Sequence, residues 1–142
     1  MAFDLDTSTD FGKNVTERIK PEGIAWLTTV NSKGVPQPNP VWFLWNDGEF
    51  LVFSEPNQAK LANIRRNSGV SLNLNSTIHG GDVVIFTGSA ELVDKTTLPA
   101  EVLDRYVTKY ADGIASLKMT GESFLNQYSE GIRFIPEKVR GF

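Results

Sequence analysis

Residues 35–45 read "VPQPNPVWFLW", and the two halves of this stretch constrain the fold in different ways. In "VWFLW" an extended chain sends Val41, Phe43 and Trp45 to one side and Trp42 and Leu44 to the other. Both sides are apolar, so both must be buried. For an antiparallel strand this implies a closed barrel whose outer wall is covered by helices or by another subunit. In "PQPNP" the prolines 36, 38 and 40 are two apart, so the N–H positions along one edge of the strand carry no donor. One reading is a protected sheet edge. The other is a strand that opens onto a cleft, where Asn39 and the main chain of Pro40 to Trp42 contact a flat ligand.

Working outward, a period of two runs through "GIAWLTTV", "EFLVFS", "VSLNLN", "DVVIFTGSAELV" and "IRFIP". The connections "NSKG" and "NDG" are hairpin turns by composition, and such short joins force antiparallel pairing. Gly88 and Ala90 on one face of the long strand suit a barrel bend. Asn73 and Asn75 alternate with leucines and face away from the interior. An opening helix is expected from about Thr7 to Lys20, with Thr7 and Asp10 at cap spacing. Two more helical patterns follow the strands, one from about Thr97 to Tyr110 and a shorter one near Thr120 to Tyr128. The fold class is mainly β: an antiparallel barrel of six or so strands with peripheral α-helices, built as one domain over residues 1–142.

Composition narrows the function. The 142 residues are 40% hydrophobic and 22% charged, as in an ordinary globular protein, and the net charge is -3. General nucleic-acid or anionic-membrane binding needs a basic surface and is not expected. No cysteine is present, which excludes disulfides, thiolate nucleophiles and thiolate metal sites. One histidine, His79, is too few for a site of two imidazoles, and it reads as a loop residue. The N-terminal "MAFDLDTSTD" has no apolar core segment, and no apolar run reaches membrane-span length, so the reading is a cytoplasmic protein. No dinucleotide fingerprint, P-loop, nucleophile elbow or zinc motif is present. An enzyme with this inventory leaves the reactive atoms to a cofactor.

One feature points to what that cofactor carries. In "SEPNQAKLANIRRN", residues 54–67, a short helix begins near Gln58 and carries Lys60 in its first turn. A cation there opposes the helix dipole by about 0.3–1 kcal/mol unless an anion occupies the same place. The alternative is a solvated surface lysine. Asn57 or Ser54 serves as the cap, and Ser54 and Gln58 supply further donors to a phosphate. Arg65 and Arg66, in the last turn, complement the dipole and need no ligand.

The segments "GIAWLTTVNSKGVPQPNPVWF", "FSEPNQAKLANIRRNSGVSLNL", "GGDVVIFTGSAELV" and "IRFIPEKVRGF", in this order, resemble the split-barrel flavin and deazaflavin oxidoreductases related to pyridoxamine 5'-phosphate oxidase. The likeness is strongest to the branch using the deazaflavin coenzyme F-420. It implies a split β-barrel, a homodimer with cofactor sites at the subunit interface, and hydride transfer to or from a small-molecule substrate. By the same resemblance Lys60 pairs with the cofactor phosphate, Ser54 and Gln58 hydrogen-bond near it, and Asn39, Pro40, Val41 and Trp42 lie along the ring. FMN is the alternative cofactor, since it shares a phosphate-bearing ribityl chain. No catalytic side chain and no metal ligand emerges. A carrier of flavin, deazaflavin or a tetrapyrrole without turnover is the competing function.

Overall fold

The computed structural model describes residues 3–142. Met1 and Ala2, which belong to the N-terminal stretch read for a leader, lie outside the described residues. Seven strands are formed: β1 (Ala25–Val30), β2 (Pro36–Val41), β3 (Leu44–Asn46), β4 (Glu49–Ser54), β5 (Gly69–Leu74), β6 (Val84–Asp94) and β7 (Glu130–Gly141). Helix α1 (Asp10–Arg18) precedes them and α2 (Ala59–Arg66) follows β4. Helices α3 (Ala100–Lys109), α4 (Ala111–Ser116) and α5 (Gly121–Gln127) lie between β6 and β7.

All pairings are antiparallel, in the order β2-β1-β5-β6-β7-β4-β3. The turns are those their composition demands. Asp47 and Gly48 have φ of 50° and 83° and connect the pair Asn46↔Glu49, the two left-handed residues of a type I′ hairpin. The bend expected at Gly88 is a bulge between Thr87 and Gly88. There a Cβ on Gly88 would stand 2.1 Å from the Ile135 carbonyl oxygen, so only glycine lets the two backbones approach.

The expected closed barrel is corrected to an open one, and "VPQPNPVWFLW" is where it opens. Read as one strand, the stretch forms two, β2 and β3, which are consecutive in the chain yet form opposite edges of the sheet. Trp42 and Phe43 carry the backbone across the seam between them. A residue outside the ladder must still pair its backbone groups, and the Tyr110 hydroxyl does this for Phe43. It accepts from the Phe43 N–H at 2.7 Å and donates towards the carbonyls of Phe43 and Gly23, at 2.9 and 2.8 Å. The alternation survives the break. Val41, Phe43 and Trp45 face the barrel core with Phe50, Phe86 and Phe134, while Trp42 and Leu44 lie under the helices with Tyr106, Tyr110, Ile114 and Phe124. Helices of the same chain therefore supply the outer cover.

The prolines of β2 fall on its unpaired edge: Pro36, Pro38 and Pro40 face Val30, Thr28 and Trp26 across β1, so the ladder draws its β2 donors from Gln37, Asn39 and Val41. Helix α1 starts later than expected. Its cap is Thr9, whose side chain accepts from the Gly12 N–H, and Thr7 has no part in it. Helix α4 was not foreseen, because a six-residue segment with one buried residue, Ile114, shows no stripe. Among the described residues no helix is long and apolar enough to cross a membrane.

Candidate functional site

Strand β4 ends at Ser54, and the chain turns through Asn57, at φ 63°, into α2. Neither expected cap is used. The N-cap is Gln58, and its side chain makes no capping bond; the Ser54 hydroxyl donates to the Glu55 carbonyl at 2.8 Å. The first turn of α2 thus has no side chain on its exposed amides. Lys60 sits in that turn, half-buried. Burial pulls its ammonium below the ordinary lysine pKa, and among the described residues no carboxylate lies within ion-pair distance of it. A partly desolvated cation with no protein counter-charge is a costly arrangement for the protein alone.

Lys60 stands between two clefts. The larger, of about 370 Å³, is bounded by Pro40, Val41 and Trp42 at the end of β2, by Phe53, Ser54 and Glu55 at the end of β4, and by Gln58 and Lys60. Its remaining wall comes from the helical cover: Tyr106, Leu117, Phe124 and Tyr128. The smaller, of about 200 Å³, is more polar and includes Thr29, Gln37, Asn39 and Asn63 besides Gln58 and Lys60. Six of the seven residues singled out in the sequence thus share the larger cleft, and Asn39 borders the adjoining one. Asn63 is buried with its amide donating to the Thr29 hydroxyl at 3.0 Å, which anchors α2 to β1.

The aromatic wall is what sequence reasoning missed. Trp42 stacks on Tyr110 (4.5 Å, 2°) and on Phe124 (5.4 Å, 21°), and Phe124 stacks on Tyr128 (4.4 Å, 16°). The Phe124/Tyr128 spacing of four was visible as a helical stripe, but its packing partner was not. Burial of Tyr128, and after it the nearby charge of Glu55, raise the pKa of its hydroxyl. Gln127 reaches Glu55, at 3.5 Å. Tyr106 is fully buried and held far above the ordinary tyrosine pKa, chiefly by burial, so it acts as packing rather than as an acid.

His79 is exposed in the β5–β6 loop and borders neither cleft. Among the described residues no group of three His, Cys, Asp or Glu side chains is placed to hold a metal. The cleft can therefore seat an anion at Lys60 and a flat apolar body against its aromatic wall, and it offers neither an imidazole nor a thiolate to a bound iron.

Known proteins match this chain in sequence and in fold. The family model described as pyridoxamine 5'-phosphate oxidase matches residues 11–141. No curated protein matches the sequence. Among solved structures, the heme storage protein HutZ of Vibrio cholerae is similar at TM-score 0.71 and 17% identity, over 94% of this chain and 95% of that one. An F-420 reductase is similar at TM-score 0.65 and 19% identity, over 88% and 94%. A FAD-binding protein of Mesorhizobium loti is similar at TM-score 0.64 and 20% identity, over 87% and 88%. At these identities the structures establish the shared architecture. Together with the sequence match over nearly the whole chain, the open seven-stranded barrel identifies this protein as a member of the pyridoxamine 5'-phosphate oxidase family, with the PNPOx-like split-barrel fold.

Proposed function

We propose that the protein is a cofactor-dependent oxidoreductase that holds a phosphate-bearing flavin-type cofactor in the cleft at Lys60. The reading prefers the deazaflavin F-420, with FMN as the alternative, and a small organic molecule as substrate. The observation that carries it is Lys60 itself, half-buried with no ion-pair partner among the described residues, at the start of a helix whose amides none of their side chains caps. A phosphate there would be attracted by the ammonium and by the helix dipole together. The residues present fit such a group: Gln58 supplies a donor beside Lys60, and Trp42, Phe53 and Phe124 form an apolar wall that excludes water from a ring. When bound, the cofactor supplies hydride transfer, and the chain supplies position and a dry, polarised setting.

A homodimer belongs to the same reading. Its support is the flank of the barrel left open by β2, where Trp26 remains 36% exposed beside a cleft bordered by Pro38, Asn73 and Ile85. Light scattering should give twice the chain mass at micromolar concentration, and a monomer there would remove the dimer. The cytoplasm, where such cofactors circulate, is the location this reading requires.

The absorbance spectrum of the purified protein, followed by titration with F-420 and FMN, tests the function. Lys60→Ala should weaken binding by about 1.5–3 kcal/mol, the value of a charge-assisted contact. Unchanged affinity in a fluorescence titration would remove Lys60 from the site. Tight binding without turnover of enones or quinones would favour the carrier.

A further inference from the structure

The stacked rings have unequal numbers of neighbours. Trp42 is stacked against two rings, Tyr110 and Phe124, and Phe124 against three, Trp42, Tyr106 and Tyr128. Tyr128 has one stacked neighbour and ends the column, half-buried in the cleft wall. A planar ligand gains most by stacking on an aromatic face that no other ring occupies. Trp42, the obvious platform from its sequence position, is already engaged. Gly113 shows how tightly: a Cβ there would stand 2.8 Å from the Trp42 indole edge, so α4 locks that ring in place.

Resting on the proposed function, we infer that Tyr128 is the stacking platform for the cofactor's planar ring. Two constraints hold the platform still. Phe124 backs one face of the ring. The backbone N–H of Tyr128 is bonded to the Phe124 carbonyl at 2.8 Å, so the residue is fixed at its main chain as well. A ring held at two points loses little freedom when a ligand stacks on it. Glu55 keeps lone pairs free for a polar hydrogen on the ligand, since a carboxylate accepts at up to about four sites.

Riboflavin and FMN share the ring and differ in the phosphate, which separates this platform from Lys60. Tyr128→Ala should weaken both ligands by about tenfold, the scale of base-on-aromatic stacking. Tyr128→Phe should keep most of the affinity, whereas Lys60→Ala should weaken FMN and leave riboflavin unchanged. Emission of the bound flavin should be quenched in the unaltered protein and recovered in Tyr128→Leu, which keeps apolar bulk without a π-face. Circular dichroism melts check that each variant is folded. Tyr128→Leu binding both flavins with unaltered affinity and emission would overturn the platform alone. Failure of the unaltered protein to bind riboflavin, FMN or F-420 would overturn the platform and the proposed function together.

Discussion

Two lysines, one in α2 and one in α3, are both half-buried and both pulled below their ordinary pKa by burial. Lys109 is fully provided for. Its ammonium donates to the Phe43 carbonyl at 2.8 Å, lies 3.7 Å from the Phe43 ring centroid, and feels the charge of Glu22. Lys60 has burial but none of these partners among the described residues. The first closes the seam of the barrel; the second stands in a cleft. Burial of a charge therefore does not mark a site by itself, and the missing partner is the informative half.

The sharpest way to break this comparison is at the seam. Tyr110→Phe removes the hydroxyl that serves the backbone of Phe43 and Gly23, leaving a buried N–H without a partner. The expected loss is about 2–3 kcal/mol in a urea melt. A loss under about 0.5 kcal/mol would show that the seam does not depend on this hydroxyl. Lys109→Met, which keeps the stem but deletes the charge, should cost about 1–2 kcal/mol, because the Phe43 carbonyl loses a charged donor.

The barrel was legible in the sequence where local chemistry is decisive. "NDG" dictates a type I′ turn, the prolines of β2 dictate an unpaired edge, and the alternation in "VWFLW" correctly divided five side chains between core and cover. The break inside that segment was not legible. It depends on Tyr110, 67 residues away from Phe43, and no local pattern announces a hydroxyl that replaces a ladder bond. Lys60 could be singled out because a cation in a helix's first turn is a local conflict. The column ending at Tyr128 could not, because it needs α4 and α5 packed across Trp42. Gly113, unfavourable inside a helix, was its one trace in the sequence.

The seam lysine should also leave a mark on the pH profile. Its folded-state pKa is about 8 against 10.5 for the free side chain, so the folded protein binds this proton more weakly than the unfolded chain. Stability then rises with pH from about 8 towards 10.5. Tyr110, raised to about 12 by burial, acts in the opposite sense above pH 10, its ordinary value. The window is therefore pH 8 to 10. Across it the stability of the unaltered protein relative to Lys109→Met should grow by at most ~1 kcal/mol, given the partial solvent screening of the site. A flat difference would mean that the carbonyl and the ring offset the burial fully.

The smallest effect is the most diagnostic. If Lys60 has no structural partner, Lys60→Met removes a partly desolvated charge and breaks no protein contact. Unliganded stability should then change by no more than about 0.5 kcal/mol, and in the favourable direction. Under saturating FMN or F-420 the order should reverse, because ligand binding stabilises the unaltered protein in proportion to the affinity that Lys60 supplies. Thermal melts with and without ligand read both signs in one series. A variant that is markedly destabilised without ligand would place Lys60 beside Lys109 as a structural lysine, and a variant with the same ligand-induced shift as the unaltered protein would leave its buried charge without a role.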